Sequence, residues 1–343
     1  MITRRTLTAA ALAASASPAF AETPKRRPLV IAHRGASGER PEHTLIAYRL
    51  AIAQGCDFIE PDLVVTKDGH LVVRHENEIG GTTNVAARPE FAARKTDKVI
   101  DGEKLTGWFT EDFELAELKT LRARERLPAL RRGSATFDGQ DTIPTYQEVI
   151  DLAKAESRRL GRTIGTYPEM KHPTYFASIG LPIEKRLADL LNTNGLNSRT
   201  APVFVQCFEV APLKAYGLIG KARRVMLVSQ GPAPVDVTTA AGVKAISAFA
   251  EGLGPEWPLV ISLNDGILGG PTNLVRDAHA AGMAIHPWTV RAENAFLPKS
   301  LQRGSVPGDH GDVGALLTAL YASGVDGVFS DFPGLAVKAR DGT

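Results

Sequence analysis

Two carboxylates stand two residues apart in an otherwise apolar stretch of the chain. Glu60 and Asp62 lie in the run DFIEPDLVV, whose composition predicts a strand. Because residues two apart on a strand share a face, both carboxylates are expected to point the same way. Glu169, near the end of a later predicted strand, can join them. Three carboxylates without a thiolate beside them suit a hard cation, Ca²⁺ or Mg²⁺.

Positive charge accompanies these carboxylates. Arg34 follows the first predicted strand, and Lys171 lies two residues after Glu169. Arginine offers planar bidentate donors to a phosphate, and lysine acts as a mobile point charge. An alternative interpretation is a structural ion network in which Arg34 and Lys171 neutralise Glu60 and Asp62, because such networks also occur in clefts.

Two histidines are candidates for proton transfer. His33 follows the first predicted strand, His75 follows an extended run predicted at 71–73, and imidazole titrates near neutrality. A lone histidine is more often structural, but two that accompany carboxylates and bases at strand ends favour catalysis. The other histidines considered are expected to be structural or surface residues: His172, His279 and His286.

Strand and helix patterns alternate along most of the chain, and this alternation must position the polar residues. Strands are predicted at 29–32, 57–65, 163–171, 203–207, 224–229, weakly near Gly252, and at 284–289 and 327–329. Helices are predicted at 43–55, 145–161, 183–191, 211–218, 237–247, 273–281 and 313–322. Eight strands that alternate with helices favour a closed α/β TIM (β/α)8 barrel over an open sheet. Catalytic groups of such barrels lie at the carboxyl ends of the strands, where the residues above are found.

One long segment interrupts the alternation after the second strand. Residues 79–142 are rich in Thr, Arg and Glu and are too long for a structureless loop. We interpret them as an inserted subdomain over the barrel mouth, within a single barrel domain at 29–343. The alternative is a surface excursion with no role in binding.

The N-terminus has the features of an export signal. Residues 1–21 run from Arg4 and Arg5 through an apolar stretch to the cleavage pattern Ala19-Phe20-Ala21, followed by a linker at 22–28. Residues 3–7 also resemble a twin-arginine motif. The apolar stretch is shorter than the ~20 residues of a membrane span. We therefore expect a soluble periplasmic or secreted protein, without stable membrane insertion.

Net charge and cysteine content bear on the expected partners and on disulfide formation. Loss of the signal would leave 38 basic residues of the 40, against 38 acidic ones, so the net charge near zero gives no support for a nucleic-acid partner. Cys56 and Cys207 lie in apolar runs and are expected to be buried thiols, although export leaves a disulfide open. The oligomeric state is not predicted.

The polar residues fall within longer motifs. The run HRGASGERPEHTLIAYRLAIAQGCDFIEPDLVVTKDGHLVVRHE is followed, in order, by IPTYQEVIDLA, YPEMKHP, AHAAGMAIHPWTVR and GVFSDFP. Together they closely resemble the glycerophosphodiester phosphodiesterase family, in particular its periplasmic branch. The resemblance implies a TIM barrel, one divalent cation, and hydrolysis of a small-molecule glycerophosphodiester to glycerol 3-phosphate and an alcohol.

The resemblance also implies roles for individual residues. They are catalytic His33 and His75, an active-site acid at Glu42, phosphate contacts from Arg34 and Lys171, metal ligands Glu60, Asp62 and Glu169, and an aromatic Trp288 near the glycerol. The sequence departs from the common pattern at Glu76, where aspartate is frequent, at Pro61, and at His43, where many members have asparagine. These departures bear on substrate preference rather than on the chemistry.

Two alternative functions follow from the same residues. A lysophospholipase D-type phosphodiesterase would need an apolar groove, for which Trp108, Phe109 and Phe113 are candidates. A non-catalytic exported binding protein on the same barrel is the other alternative. It is disfavoured because all the residues implied to act in catalysis are present.

Overall fold

The structure is a computed structural model that describes residues 27–231 and 235–342. The predicted export signal at 1–21 lies outside the described residues, as does the linker up to residue 26. The last two linker residues are described, and Arg27 forms an ion pair with Asp341 near the C-terminus, with 2.7 Å between Nη2 and Oδ2.

Eight short parallel strands form a closed barrel, which confirms the predicted fold. Strands two and three are each interrupted at a proline, Pro61 and Pro168, because proline has no N–H to donate to the ladder. The strands, in order, are Leu29–His33, Phe58–Glu60 with Asp62–Val65, Gly165–Thr166 with Glu169–Met170, Phe204–Cys207, Arg223–Val228, Gly252–Pro255, Ala284–Ile285 and Gly327–Ser330.

Each barrel strand pairs in parallel with its neighbours. Strand one pairs with strands two and eight, and the order then runs from two through seven. Hydrogen bonds close the circle between strands seven and eight, from the Asp326 N–H to the Ile285 carbonyl at 3.0 Å and from the Phe329 N–H to the Pro287 carbonyl at 2.9 Å. The carboxyl ends of all eight strands therefore meet at one rim.

Helices follow the strands around the outside of the barrel. They are Leu45–Ala53, Tyr146–Leu160, Pro173–Ser178, Ile183–Thr193, Val210–Ile219, Ala240–Ser247, Leu274–Ala280, Val313–Ala322 and Pro333–Asp341. The longest is bounded as its sequence predicts: Thr145 and Glu148 form a capping box, and Gly161 ends it in a left-handed conformation.

The barrel interior is filled by large apolar side chains rather than left as a pore. The buried cluster consists of Ile31, Phe58, Tyr167, Phe204, Val225 and Phe329. His286 is buried among them and shares a hydrogen bond with the Tyr167 hydroxyl, 2.9 Å from Nδ1. The prediction that His286 is structural agrees with this position.

The segment between strand two and the helix Tyr146–Leu160 contains several small elements. Strand Leu71–Val73 pairs antiparallel with Asp62–Val65, and Thr96–Ile100 forms a hairpin with Glu103–Gly107. Short helices and 3-10 turns make up the rest, at Val85–Ala87, Pro89–Arg94, Thr110–Asp112, Leu115–Leu118 and Arg132–Ala135. Apolar side chains of this segment join the same core as the barrel helices. The predicted role of an inserted subdomain stays a prediction.

A second hairpin follows strand six, formed by Ile261–Asn264 and Ile267–Pro271, with 3-10 turns at Trp257–Leu259, Asn294–Phe296 and Lys299–Leu301. Cys56 and Cys207 are free and buried. Within the described residues, no helix combines the length and apolar character needed to cross a membrane.

Candidate active site

Three carboxylates meet at the rim where strands two and three end. Glu60 and Asp62 are both buried on either side of Pro61, and Asp62 pairs in register with Glu169 on strand three. Each offers an oxygen, and these three oxygens lie within 4.8 Å of one another. The predicted set of ligands is therefore assembled by the register of two adjacent strands.

The chemistry of this cluster fits a metal ion. Burial raises the pKa of Glu60, and the negative charge of Asp62 raises it further. Burial and the same neighbour raise the pKa of Glu169 to about 7. The Asp62 Oδ1 atom is buried without a hydrogen-bond partner among the described residues. Three crowded oxygen donors, one of them unpaired, can hold a hard cation.

Both oxygens of Glu60 and the second oxygen of Asp62 have partners from elsewhere in the barrel. The Arg34 backbone N–H donates to Glu60 Oε2 at 2.7 Å, and Gln206 Nε2 donates to Glu60 Oε1 at 3.1 Å. His43 Nε2 lies 2.8 Å from Asp62 Oδ2. These contacts fix the orientation of the carboxylates, as the surrounding residues of metal sites generally do.

Arg34 and Lys171 bring positive charge to the same rim. Arg34 Nη1 donates to Glu42 Oε2 at 3.1 Å, and its Nε lies 3.5 Å from Asp62 Oδ2. Lys171 Nζ lies 3.1 Å from Glu169 Oε1. Part of the structural ion network considered as the alternative is therefore present. It does not satisfy the whole cluster, because Asp62 retains an unpaired oxygen.

Glu42 is buried against the guanidinium groups. It accepts from Arg34 and also from Arg126, whose Nε lies 3.0 Å from Glu42 Oε2. Burial opposes ionisation, but these two cations lower the Glu42 pKa far below its usual range. Glu42 is thus placed to orient Arg34.

The two predicted catalytic histidines have matching surroundings. His33 Nδ1 lies 2.5 Å from Asp331 Oδ1, and its Nε2 accepts from Arg34 Nε at 3.2 Å. His75 Nδ1 lies 2.7 Å from a Glu76 carboxylate oxygen, and its Nε2 lies 3.3 Å from Lys171 Nζ. In each ring, one nitrogen therefore meets a carboxylate and the other meets a cation.

Both histidines are held in the neutral form by these surroundings. Burial and the neighbouring Arg34 lower the pKa of His33 to about 4, against the opposing effect of Asp331. Burial, Arg34 and Lys171 lower the pKa of His75 to about 3. A carboxylate at Nδ1 favours the tautomer that carries its proton there, which leaves Nε2 available as a base.

A cavity of about 170 Å³ joins these groups. Its walls combine charged residues with aromatic and aliphatic ones. Its lining residues are His33, Arg34, Glu60, His75, Glu169, Gln206, Phe208, Leu227, Trp288, Thr289, Arg291 and Phe329. Trp288 Nε1 donates to the Gly254 carbonyl at 2.8 Å, and its ring packs edge-on against Phe208.

The structure thus brings all nine predicted site residues to one rim of the barrel. It also adds partners that the sequence analysis did not assign: Asp331, Glu76, Gln206, Phe208 and Arg291. Asp331 had a detectable signal, because it directly follows the last strand. Gln206 is a polar residue within the apolar run VFVQCF, which is a weaker indication.

The fold and site define a TIM-barrel enzyme with a buried acidic cluster beside paired histidines and phosphate-compatible cations. The chain belongs to the glycerophosphoryl diester phosphodiesterase family, whose sequence profile matches residues 33–335. This membership confirms the resemblance and the enzyme class predicted from the sequence, a phosphoric diester hydrolase. Placement in the periplasmic branch stays a prediction.

Two relatives are similar in sequence to this chain along most of their length. A glycerophosphodiester phosphodiesterase of Arabidopsis thaliana is 33% identical over 328 residues, covering 90% of this chain and 84% of the relative. One from Haemophilus influenzae is 29% identical, covering 92% of this chain and 90% of the relative.

Solved structures share the fold. A phosphodiesterase of Oleispira antarctica, in complex with the product sn-glycerol-3-phosphate, has a TM-score of 0.62 at 24% identity and covers 92% of this chain and 97% of its own. A putative glycerophosphoryl diester phosphodiesterase of Silicibacter pomeroyi has a TM-score of 0.65 at 18% identity, with coverages of 93% and 95%.

Proposed function

We propose that this protein hydrolyses glycerophosphodiesters to glycerol 3-phosphate and an alcohol in a metal-dependent reaction. The observation that carries the proposal is a single cavity lined by both histidines, Arg34 and two of the three clustered carboxylates. Hydrolysis of a phosphodiester needs stabilisation of the charge on the phosphate oxygens and two proton transfers. The cavity offers groups for each of these. The family membership and the product bound by the Oleispira antarctica relative support this substrate class.

The proposed metal ligands are Glu60, Asp62 and Glu169, which would hold one Ca²⁺ or Mg²⁺. The choice of cation follows from three oxygen donors in the absence of a thiolate. When bound, such a cation would polarise a phosphoryl oxygen as a Lewis acid.

Arg34 and Lys171 are proposed to hold the phosphate. Burial opposes the charge of both groups, but nearby carboxylates raise the pKa of each above its ordinary value, so both are cations at neutral pH. Glu42 orients the Arg34 guanidinium, so the arginine is preorganised before substrate binds. Fixed positive charge is most effective where it meets the charge that develops on the phosphate oxygens in the transition state.

His33 and His75 are proposed to share the proton transfers. One removes a proton from the nucleophile, and the other protonates the oxygen of the leaving alcohol. Asp331 and Glu76 orient the two rings through Nδ1. The nucleophile can be water or a hydroxyl of the substrate's own glycerol, which would give a cyclic phosphate first.

The three aromatic residues considered for a lysophospholipid-binding groove do not form one. Phe109 and Phe113 are fully buried, and Trp108 donates from Nε1 to the Phe91 carbonyl. None of the three lines the cavity. These aromatic residues contribute to packing instead, so the glycerophosphodiester remains the proposed substrate. Trp288 and Phe208 are proposed to contact its glycerol.

Product analysis tests this function. Purified protein would be incubated with glycerophosphocholine or lysophosphatidylcholine. The phosphorus-containing products would be identified by ³¹P NMR. We expect glycerol 3-phosphate and choline from the first substrate, with much slower turnover of the second. Phosphocholine with free glycerol as the products would contradict the assigned bond cleavage, and faster turnover of lysophosphatidylcholine would favour the alternative.

A further inference from the structure

A row of paired polar side chains leads from His75 to a surface hairpin. His75 Nδ1 lies 2.7 Å from Glu76 Oε1, and the other oxygen of Glu76 lies 2.8 Å from His172 Nε2. His172 Nδ1 in turn lies 2.6 Å from Asp101 Oδ2. Asp101 sits in the turn between Thr96–Ile100 and Glu103–Gly107. Neither His172 nor Asp101 lines the cavity.

Imidazole and carboxylate groups alternate along this row. Burial opposes protonation of His172, but its hydrogen bonds to the two carboxylates raise its pKa above the ordinary value. Hydrogen bonds from His172 and His75 lower the pKa of Glu76, again against the effect of burial. When protonated, His172 can donate to both carboxylates, because both imidazolium nitrogens carry protons.

The length of Glu76 explains its position in the row. One carboxylate uses a separate oxygen for each histidine ring. An aspartate at this position would be one methylene shorter. A shorter side chain at residue 76 could not keep both contacts without movement of the backbone or the rings. The length of the glutamate side chain therefore allows it to contact both His75 and His172.

We propose that Glu76, His172 and Asp101 are positioning residues for His75. They fix the orientation of its ring and keep the proton on Nδ1, so that Nε2 is left for the reaction. Asp101 then acts on His75 through His172 and Glu76, although it does not line the substrate cavity. This inference rests on the catalytic role proposed above for His75.

The main test compares two substitutions in the same hairpin. Asp101 has a left-handed backbone, with a φ of 49°, which asparagine tolerates, so Asp101→Asn removes the charge with little backbone cost. Asp97→Asn is the matched control, because Asp97 is half-exposed and, among the described residues, pairs only within the hairpin, with Lys104 and Thr106. We expect Asp101→Asn to lower kcat and Asp97→Asn to leave it unchanged.

Substitution of Glu76 tests the link to His75 itself. Glu76→Ala should lower kcat roughly 10- to 100-fold, as for other residues that orient a functional histidine, with little change in KM. Asp101→Asn should have no further effect in the Glu76→Ala background, because the row is already broken. Equal effects of Asp101→Asn in both backgrounds would overturn the proposal.

An NMR measurement separates this inference from the proposed function. In the free protein, ¹⁵N shifts of His75 should report the tautomer with the proton on Nδ1, and Glu76→Ala should abolish that preference. This readout needs no turnover. Absence of diesterase activity in the wild-type protein would reject the proposed function alone, whereas an unchanged His75 tautomer in Glu76→Ala would overturn the positioning role.

Discussion

At the residue scale, His33 and His75 are held in the same way although they come from different strands. A carboxylate faces Nδ1 and a cation faces Nε2 in both rings. Both are neutral before substrate binds, since burial and the cations lower the pKa of each. An anionic phosphodiester would add negative charge near both rings and favour the protonated form of the one that acts as acid.

Paired roles predict non-additive effects of mutation. Replacement of either His33 or His75 by Ala should lower kcat by roughly 10²–10⁴-fold, the usual range for general acid–base catalysis. The double variant should lose much less than the product of the two single effects. Steady-state kinetics on all three variants, with metal content measured in parallel, would check this. The metal content should remain that of the wild-type protein, because neither histidine is a proposed ligand.

The control is His279→Ala. His279 also pairs with a carboxylate, Asp326, but on the surface away from the cavity, so kcat should be unchanged.

A nitrophenyl phosphodiester, whose leaving group needs little protonation, should restore activity to the histidine variant that lacks the acid and not to the one that lacks the base. Near wild-type kcat in both single variants would return His33 and His75 to a structural role.

The sequence was sufficient to nominate the nine site residues, but not their partners. Glu60 and Asp62 are detectable because strand periodicity links residues two apart. Asp331 lies 298 residues from His33, so their hydrogen bond depends on closure of the barrel. The sequence indicates no part in the chemistry for Glu76 and predicts a structural or surface position for His172. Local sequence gives no indication of the contact between them, which the structure shows.

At the scale of elements, the segment between strand two and its following helix is tied to the active-site rim by a buried arginine. Arg131 precedes the short helix Arg132–Ala135 and forms ion pairs with Asp331 and Glu293, the latter at 2.6 Å. It also donates to the Ser37 carbonyl at 2.9 Å. Because Asp331 orients His33, the packing of this segment bears directly on the site.

Removal of Arg131 should therefore destabilise the protein. Arg131→Ala would leave two buried carboxylates short of a partner, a change that typically costs about 3–5 kcal/mol in the free energy of unfolding. Urea denaturation followed by circular dichroism would measure it. Arg132→Ala, at the adjacent exposed position, is the control and should change stability little. Equal stability of the two variants would contradict a structural role for the buried arginine.

Element types were more predictable than element ends. All eight strands were recognised, including the weak sixth strand, observed at Gly252–Pro255. The strand predicted at 163–171 is instead two short pieces separated at Tyr167 and Pro168. The helix predicted from residue 237 begins at Ala240, because Thr239 caps it by accepting from the Gly242 N–H. Such ends depend on caps and prolines rather than on apolar periodicity.

At the scale of the whole molecule, one barrel carries the complete site on a single rim. The alternation of strands and helices predicted this architecture, because eight successive units favour closure. It could not predict how the 79–142 segment packs, since that segment has no regular period. Its apolar side chains turn out to share the core of the barrel helices.

The cellular location is a proposal that rests on the first 21 residues. A charged start, an apolar run and an Ala-x-Ala pattern are typical of export signals. We expect the mature chain to begin at or near Glu22 and to be recovered outside the cytoplasm. N-terminal sequencing of the protein from fractions of its natural host would check this. An intact N-terminus on cytoplasmic protein would contradict it.

The central claim is that the three clustered carboxylates hold a divalent cation needed for glycerophosphodiester hydrolysis. The most direct measurement is the rate of glycerol 3-phosphate release from glycerophosphocholine before and after exhaustive chelation, and again after Ca²⁺ or Mg²⁺ is added back. We predict that chelation abolishes the rate and that one of these cations restores it, because all three proposed ligands are oxygen donors. An undiminished rate after complete removal of metal would contradict the account.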